Sequence, residues 1–173
     1  INVQYSSSKL GWIQGGFLPY DTEIIFDGDS RFKQLFDSIG EYGNRTVWME
    51  HVKKIRKRGR VEVKFMLAAS FASVLVSIVG GLPFFVDLWG ETEGGKSVAM
   101  MVAASVWANP DESRYIGDFK TTDVALEAKA DMLNHLPMML DDTSKKNRKI
   151  EENFEGIVYD LASGKGKSRS NKE

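Results

Sequence analysis

The eight residues Gly90 to Ser97, GETEGGKS, constrain this chain more than any other stretch. They match GxxxxGK[ST] in full. The glycines of that pattern let the backbone curl until its N–H groups converge on an anion, and a helix N-terminus adds the positive end of its dipole. The motif has this meaning only between a strand and a helix. Both flanks read that way: Phe84–Leu88 is a short apolar run with the character of a core strand, and about Gly95 to Trp107 is an apolar helical run. From average composition such a match arises by chance in roughly one chain in two hundred of this length. The bland alternative is a glycine turn between two core elements.

The spacing assigns roles. Gly90, Glu91, Thr92, Glu93, Gly94, Gly95, Lys96 and Ser97 are the candidate nucleotide-binding residues. Lys96 is placed to reach the β and γ phosphates, and the Ser97 hydroxyl to bind magnesium. Glu91, Thr92 and Glu93 occupy free positions, where the backbone faces phosphate and side chains point away. Two carboxylates near a triphosphate still repel it, and magnesium or a neighbouring cation offsets that repulsion.

The second half of the candidate site is LPMMLDD, an apolar run ending in Asp141 and Asp142, with Pro137 confined to its first turn because proline cannot donate within a ladder. A strand ending in paired acids suits an ATPase: Asp141 to hold magnesium through water, Asp142 as the catalytic group that polarises the attacking water. The expected cofactors are therefore ATP and Mg2+, and hydrolysis is favoured over phosphoryl transfer, for which no acceptor pocket is legible. The terminal SNKE is a poor guanine reader, with Glu173 where aspartate is required.

The rest of the chain frames this core. At 173 residues, 42% hydrophobic and 27% charged, it has the balance of one soluble globular domain, and its net charge of -1 says nothing about nucleic acid. The absence of cysteine excludes disulfides and thiolate chemistry and fits a reducing, cytoplasmic setting. The most lipid-like stretch, Phe65–Val79, is too short to cross a bilayer and carries Ser70, Ser73 and Ser77, so it is expected as a buried core helix rather than a membrane span. No signal peptide is legible at Ile1.

Residues 1–44 read as an N-terminal segment of short, glycine-punctuated strands followed by a helix through Phe32, Leu35, Phe36 and Ile39; residues 45–173 read as the phosphate-loop domain. Within the latter a helical pair comes first. One helix starts near Thr46, with Trp48, Val52 and Ile55 on one face and Lys53, Lys54, Arg56, Lys57, Arg58 and Arg60 forming a basic cluster. The next runs from about Val61 to Val79 and is apolar nearly all round, so other elements should cover it. A helix capped by Thr121 or Thr122 and a last amphipathic helix over Asn147–Ser163 complete the pattern.

Three blocks in order, GETEGGKSVAMMVAASVWANP, FKTTDVALEAKADMLNHLPMMLDD and VYDLASGKGKSRSN, resemble the ATPase domains of phage and mobile-element proteins grouped as domain of unknown function 927, which are related to helicases. Asp142 stands where that family usually has glutamate. The resemblance implies an α/β fold with a three-layer P-loop NTPase core around a parallel sheet. That sheet is expected to be incomplete here, because relatives usually carry further strands after the GKGKxR segment. It implies a helicase-type ATPase acting on DNA in replication, and a homo-oligomer in which Lys165, Lys167 and Arg169 touch DNA or a neighbour's nucleotide. The alternative is a nucleotide-binding scaffold with little or no hydrolysis.

Overall fold

The computed structural model of the chain describes residues 4–13, 15–91, 94–111, 114–119, 122–141, 156 and 158–159. The glycine-punctuated N-terminal sequence yields four three-residue strands: β1 (Tyr5–Ser7), β2 (Gly11–Ile13), β3 (Gly16–Leu18) and β4 (Ile24–Phe26). β1 and β4 pair in parallel, and β2 and β3 form an antiparallel hairpin in which Gly11 faces Leu18. A single 3-10 turn at Ser30–Phe32 then leads into α1 (Lys33–Asp37), which buries Leu35 as the helical spacing predicts.

The helical pair follows. α2 (Arg45–Arg58) starts where Asn44 accepts the N–H groups of Thr46 and Val47 at 2.9 and 3.1 Å, satisfying donors that a helix start leaves open. No residue of α2 is fully buried, and its expected apolar face of Trp48, Val52 and Ile55 is only half covered. α3 (Val61–Ser73) stops six residues before the expected Val79 and continues as irregular turns to Gly80. Side chains divert the carbonyls the helix would need: the Trp12 indole N–H takes Val74 O at 2.8 Å, and the Trp107 indole N–H takes Ser70 O at 3.1 Å. Nor is α3 covered all round. Val61, Phe65 and Phe71 remain exposed; among the described residues the main packing partner of α3 is α4 (Lys96–Ala104), whose buried Ala99, Ala103 and Ala104 allow close approach.

β5 (Gly117–Asp118), α5 (Asp123–Leu133) and β6 (Leu140–Asp141) finish the described order. Thr122 caps α5, its hydroxyl accepting the Ala125 N–H at 3.3 Å; the alternative cap, Thr121, lies outside the described residues. β5 and β6 pair in parallel with Gly117 opposite Leu140 and Asp118 opposite Asp141. Helical backbone recurs at Gly156, Val158 and Tyr159, inside the helix expected over Asn147–Ser163, whose remaining residues lie outside the description.

The chain is thus mixed α/β, with five α-helices and three two-stranded pairings among the described residues. Leu10 and Leu18 from the N-terminal strands, Leu35 and Ile39 around α1, Ala103 of α4 and Leu133 of α5 share one buried cluster. The N-terminal strands are tied to the end of α5 by Leu10 N–H to Met132 O at 2.8 Å and Asn134 Nδ2 to Leu10 O at 2.9 Å. Gly11 has φ of 85°, and a Cβ there would come within 2.6 Å of the His135 Cβ, so glycine is required for this approach. No helix among the described residues is long and apolar enough to cross a membrane.

The expected strand at Phe84–Leu88 is a correction. Those residues join no ladder, and Phe84 and Phe85 are exposed. A cavity of about 580 Å³ lies between this segment and β6, lined by Phe84, Val86, Met138 and Leu140 over a floor of Met66 and Ala103. An apolar run becomes a strand only when a partner backbone lies alongside, and among the described residues no strand pairs with Phe84–Leu88.

Candidate functional site

Of the stretch Gly90–Ser97, the described residues Glu91, Gly94 and Gly95 are bends, and Gly95 leads directly into a helix at Lys96. Gly90 and Gly95 have φ of 148° and 83°, conformations that side chains rarely adopt, which accounts for glycine at the first and sixth positions. Gly95 is the cap of α4, and its carbonyl accepts the Ala99 N–H at 3.0 Å, so the N–H groups at the start of α4 stand at the end of the loop.

Lys96, the first residue of α4, folds back across the loop. Its ammonium donates to Gly90 O at 2.7 Å and Glu91 O at 2.6 Å, closing the loop on its first two carbonyls. Ser97 turns the other way, and its hydroxyl donates to Asp141 Oδ2 at 3.1 Å across 44 positions of sequence. The helix start and the end of β6 are therefore adjacent. Glu91 is exposed, and its carbonyl accepts the Lys96 ammonium. Thr92, Glu93, Asp142, Lys165, Lys167 and Arg169 lie outside the described residues.

β5 holds Asp141 in place: Gly117 N–H bonds Met139 O at 3.0 Å, and Asp118 sits opposite Asp141 in register. Lys129 lies directly beside β5: a Cβ on Gly117 would come within 2.6 Å of Lys129 Nζ, the movable end of that side chain. Burial pushes the Lys129 ammonium below its usual range, and the nearby Asp118 carboxylate opposes that shift. Neither β5 nor Lys129 was legible as part of the site. A two-residue strand carries no periodicity to detect, and a lysine on an α-helix normally signals a solvated face.

The basic cluster divides. Lys53, Lys54, Arg56, Lys57 and Arg58 are exposed on α2, whereas the Arg60 guanidinium reaches the loop and donates from Nη1 to Gly94 O at 3.0 Å. The charge run gave no sign that its last member differs.

Two oxygen donors, Ser97 Oγ and Asp141 Oδ2, are the chemistry a magnesium ion takes. Among the described residues no group of three or more His, Asp or Glu gathers to hold a metal. A metal at this position would complete its shell with water and phosphate oxygens, the habit of Mg2+ rather than of a metal caged by protein.

A family model described as "Domain of unknown function (DUF927)" matches residues 1–173, and the chain belongs to that family. No curated protein matches the chain.

Proposed function

We propose that this member of the DUF927 family binds ATP with Mg2+ at Gly90–Ser97 and hydrolyses it as a helicase-type ATPase acting on DNA in replication of a phage or mobile element. The observation that carries the proposal is the pair of contacts made by adjacent residues. Lys96 closes on Gly90 O and Glu91 O at 2.7 and 2.6 Å, while Ser97 meets Asp141 at 3.1 Å. One side chain organises the loop for an anion, and the next joins it to the acid at the end of β6.

In this proposal the loop N–H groups and the start of α4 bind the phosphates, and Lys96 neutralises charge on the β and γ phosphates. Ser97 and Asp141 hold Mg2+, which when bound supplies charge neutralisation at the transferring phosphate. Asp142 polarises the attacking water. The exposed cations of α2, with Lys165, Lys167 and Arg169, offer sequence-independent attraction to a nucleic-acid backbone. A homo-oligomer and a cytoplasmic setting belong to the same proposal.

A second reading, nucleotide binding without turnover, draws support from the segment Phe84–Leu88, which joins no sheet among the described residues. Phosphate release separates the two. Hydrolysis that rises with single-stranded DNA and disappears in Lys96→Ala supports the ATPase. ATP binding with no phosphate release, with or without DNA, supports the scaffold.

A further inference from the structure

We infer that Arg60 is a positioning residue of the glycine loop: it braces the outer side of the loop from the junction of α2 and α3, and nucleotide affinity depends on that brace. The inference rests on the nucleotide-binding proposal above, to which it adds a residue outside the motif. Among its described residues the loop has few bonds of its own. The segment Leu82–Trp89 leading into it makes no backbone hydrogen bond to another described residue, and within the loop the described backbone contact is Gly94 N–H to Glu91 O at 3.3 Å. Lys96 holds the loop from inside. From outside, and from 34 positions earlier in the sequence, Arg60 Nη1 donates to Gly94 O at 3.0 Å. The same nitrogen lies 3.8 Å from where a Cβ on Gly95 would be, so the guanidinium covers the two glycines that immediately precede Lys96.

The backbone at Arg60 is fixed by its surroundings. Gly59 makes the tight exit from α2: its N–H bonds Ile55 O at 2.8 Å, and a Cβ on it would approach that same oxygen to 2.5 Å. Arg60 is next, at the cap of α3, where its carbonyl accepts the Lys64 N–H at 3.2 Å. At the other end of α2 the Trp48 indole donates to Ser105 Oγ at 3.0 Å, just beyond α4. α2 therefore bridges α4 from one end to the other, fastened by Trp48 at the C-terminal end and by Arg60 at the loop. The guanidinium also has a long contact to Glu62 at 3.4 Å, on its Nη2. A planar fork can serve both acceptors at once, and a lysine ammonium reproduces only part of that geometry.

Three variants and two measurements test the brace. Binding of a fluorescent ATP analogue with Mg2+ should weaken about five- to tenfold in Arg60→Ala, the worth of roughly one charge-assisted hydrogen bond at an exposed position, with partial recovery in Arg60→Lys. Glu62→Gln, which leaves the Gly94 contact intact, should bind like the parent. If Arg60 served only to pair with Glu62 at the start of α3, Arg60→Ala and Glu62→Gln would behave alike, and that result overturns the inference. Amide hydrogen exchange at residues 94–97 without nucleotide is the second measurement, expected to quicken in Arg60→Ala alone. Unchanged exchange there overturns the brace whether or not nucleotide binds. A parent chain that binds no nucleotide, with exchange still quickened in Arg60→Ala, sinks the nucleotide proposal and upholds the brace as a loop-positioning contact.

Discussion

Replacing Lys96 by alanine tests the loop without requiring catalysis. The ammonium makes two hydrogen bonds, to Gly90 O and Glu91 O, at a position open to solvent, so its loss from the ligand-free protein costs at most about 1 kcal/mol. Unfolding entropy converts that into temperature. A chain of 173 residues at about 2.1 cal/mol/K per residue has an unfolding entropy of roughly 0.36 kcal/mol/K, so the ligand-free Tm should fall by no more than about 3 °C. Nucleotide acts on a larger scale. At one hundred times its Kd a ligand that binds only the folded state stabilises by about 2.7 kcal/mol, a rise of roughly 7 °C. Melting curves with and without Mg-ATP should therefore show a shift of that size in the parent and little or none in Lys96→Ala. EDTA should remove part of the parent's shift, because Ser97 and Asp141 present oxygen donors to a metal. An equal ATP shift in both proteins, or none in the parent at millimolar ATP, would refute the assignment of this loop to phosphate.

Two further perturbations address the scaffold. Ser70 is 2% exposed and its hydroxyl donates to Ala103 O at 2.7 Å across the α3–α4 contact, so Ser70→Ala should cost about 1–2 kcal/mol, or roughly 3–6 °C by the same conversion; an unchanged Tm would show that the bond contributes nothing. Burial pulls the His135 imidazole below its ordinary pKa, with a hydrogen bond to the Leu10 backbone opposing. The unfolded chain then takes up the proton first on acidification, so stability is full above the unfolded value of about 6.5 and falls as pH drops below it. Tm measured from pH 7.5 to 5 should decline in the parent and decline less in His135→Gln, and identical slopes would reject the assignment.

How much of this was legible in the sequence differs by element, and the difference follows from the range of the interactions concerned. The starts of α2 and α5 depend on Asn44 and Thr122, which bond backbone groups two or three residues away, and such caps are written locally. The glycines of the loop are local too, because a positive φ is a property of one residue. Phe84–Leu88 failed as a strand for the opposite reason: a ladder belongs to two segments, and an apolar run states only half of it. The end of α3 failed likewise. The carbonyls that would have carried it to Val79 are claimed by Trp12 and Trp107, which are 62 and 37 residues away from them.

The candidate site combines both kinds of information, and that determines which parts can be trusted to persist when the surroundings change. Lys96 on Gly90 and Glu91 is a contact across five or six residues, so it accompanies the motif wherever the loop can curl. Ser97 on Asp141 is a contact across 44 residues, and it holds only because α4 and β6 are each fixed independently. α4 is fixed by Ser70 of α3 at Ala103, and β6 by its register with β5. Neither support runs through Phe84–Leu88. The meeting of hydroxyl and carboxylate therefore does not depend on the missing ladder, whereas the entry of the chain into the loop does. In the proposed nucleotide site, Ser97 and Asp141 would therefore be the part already in place, and the loop would be the part that Arg60 and Lys96 must hold.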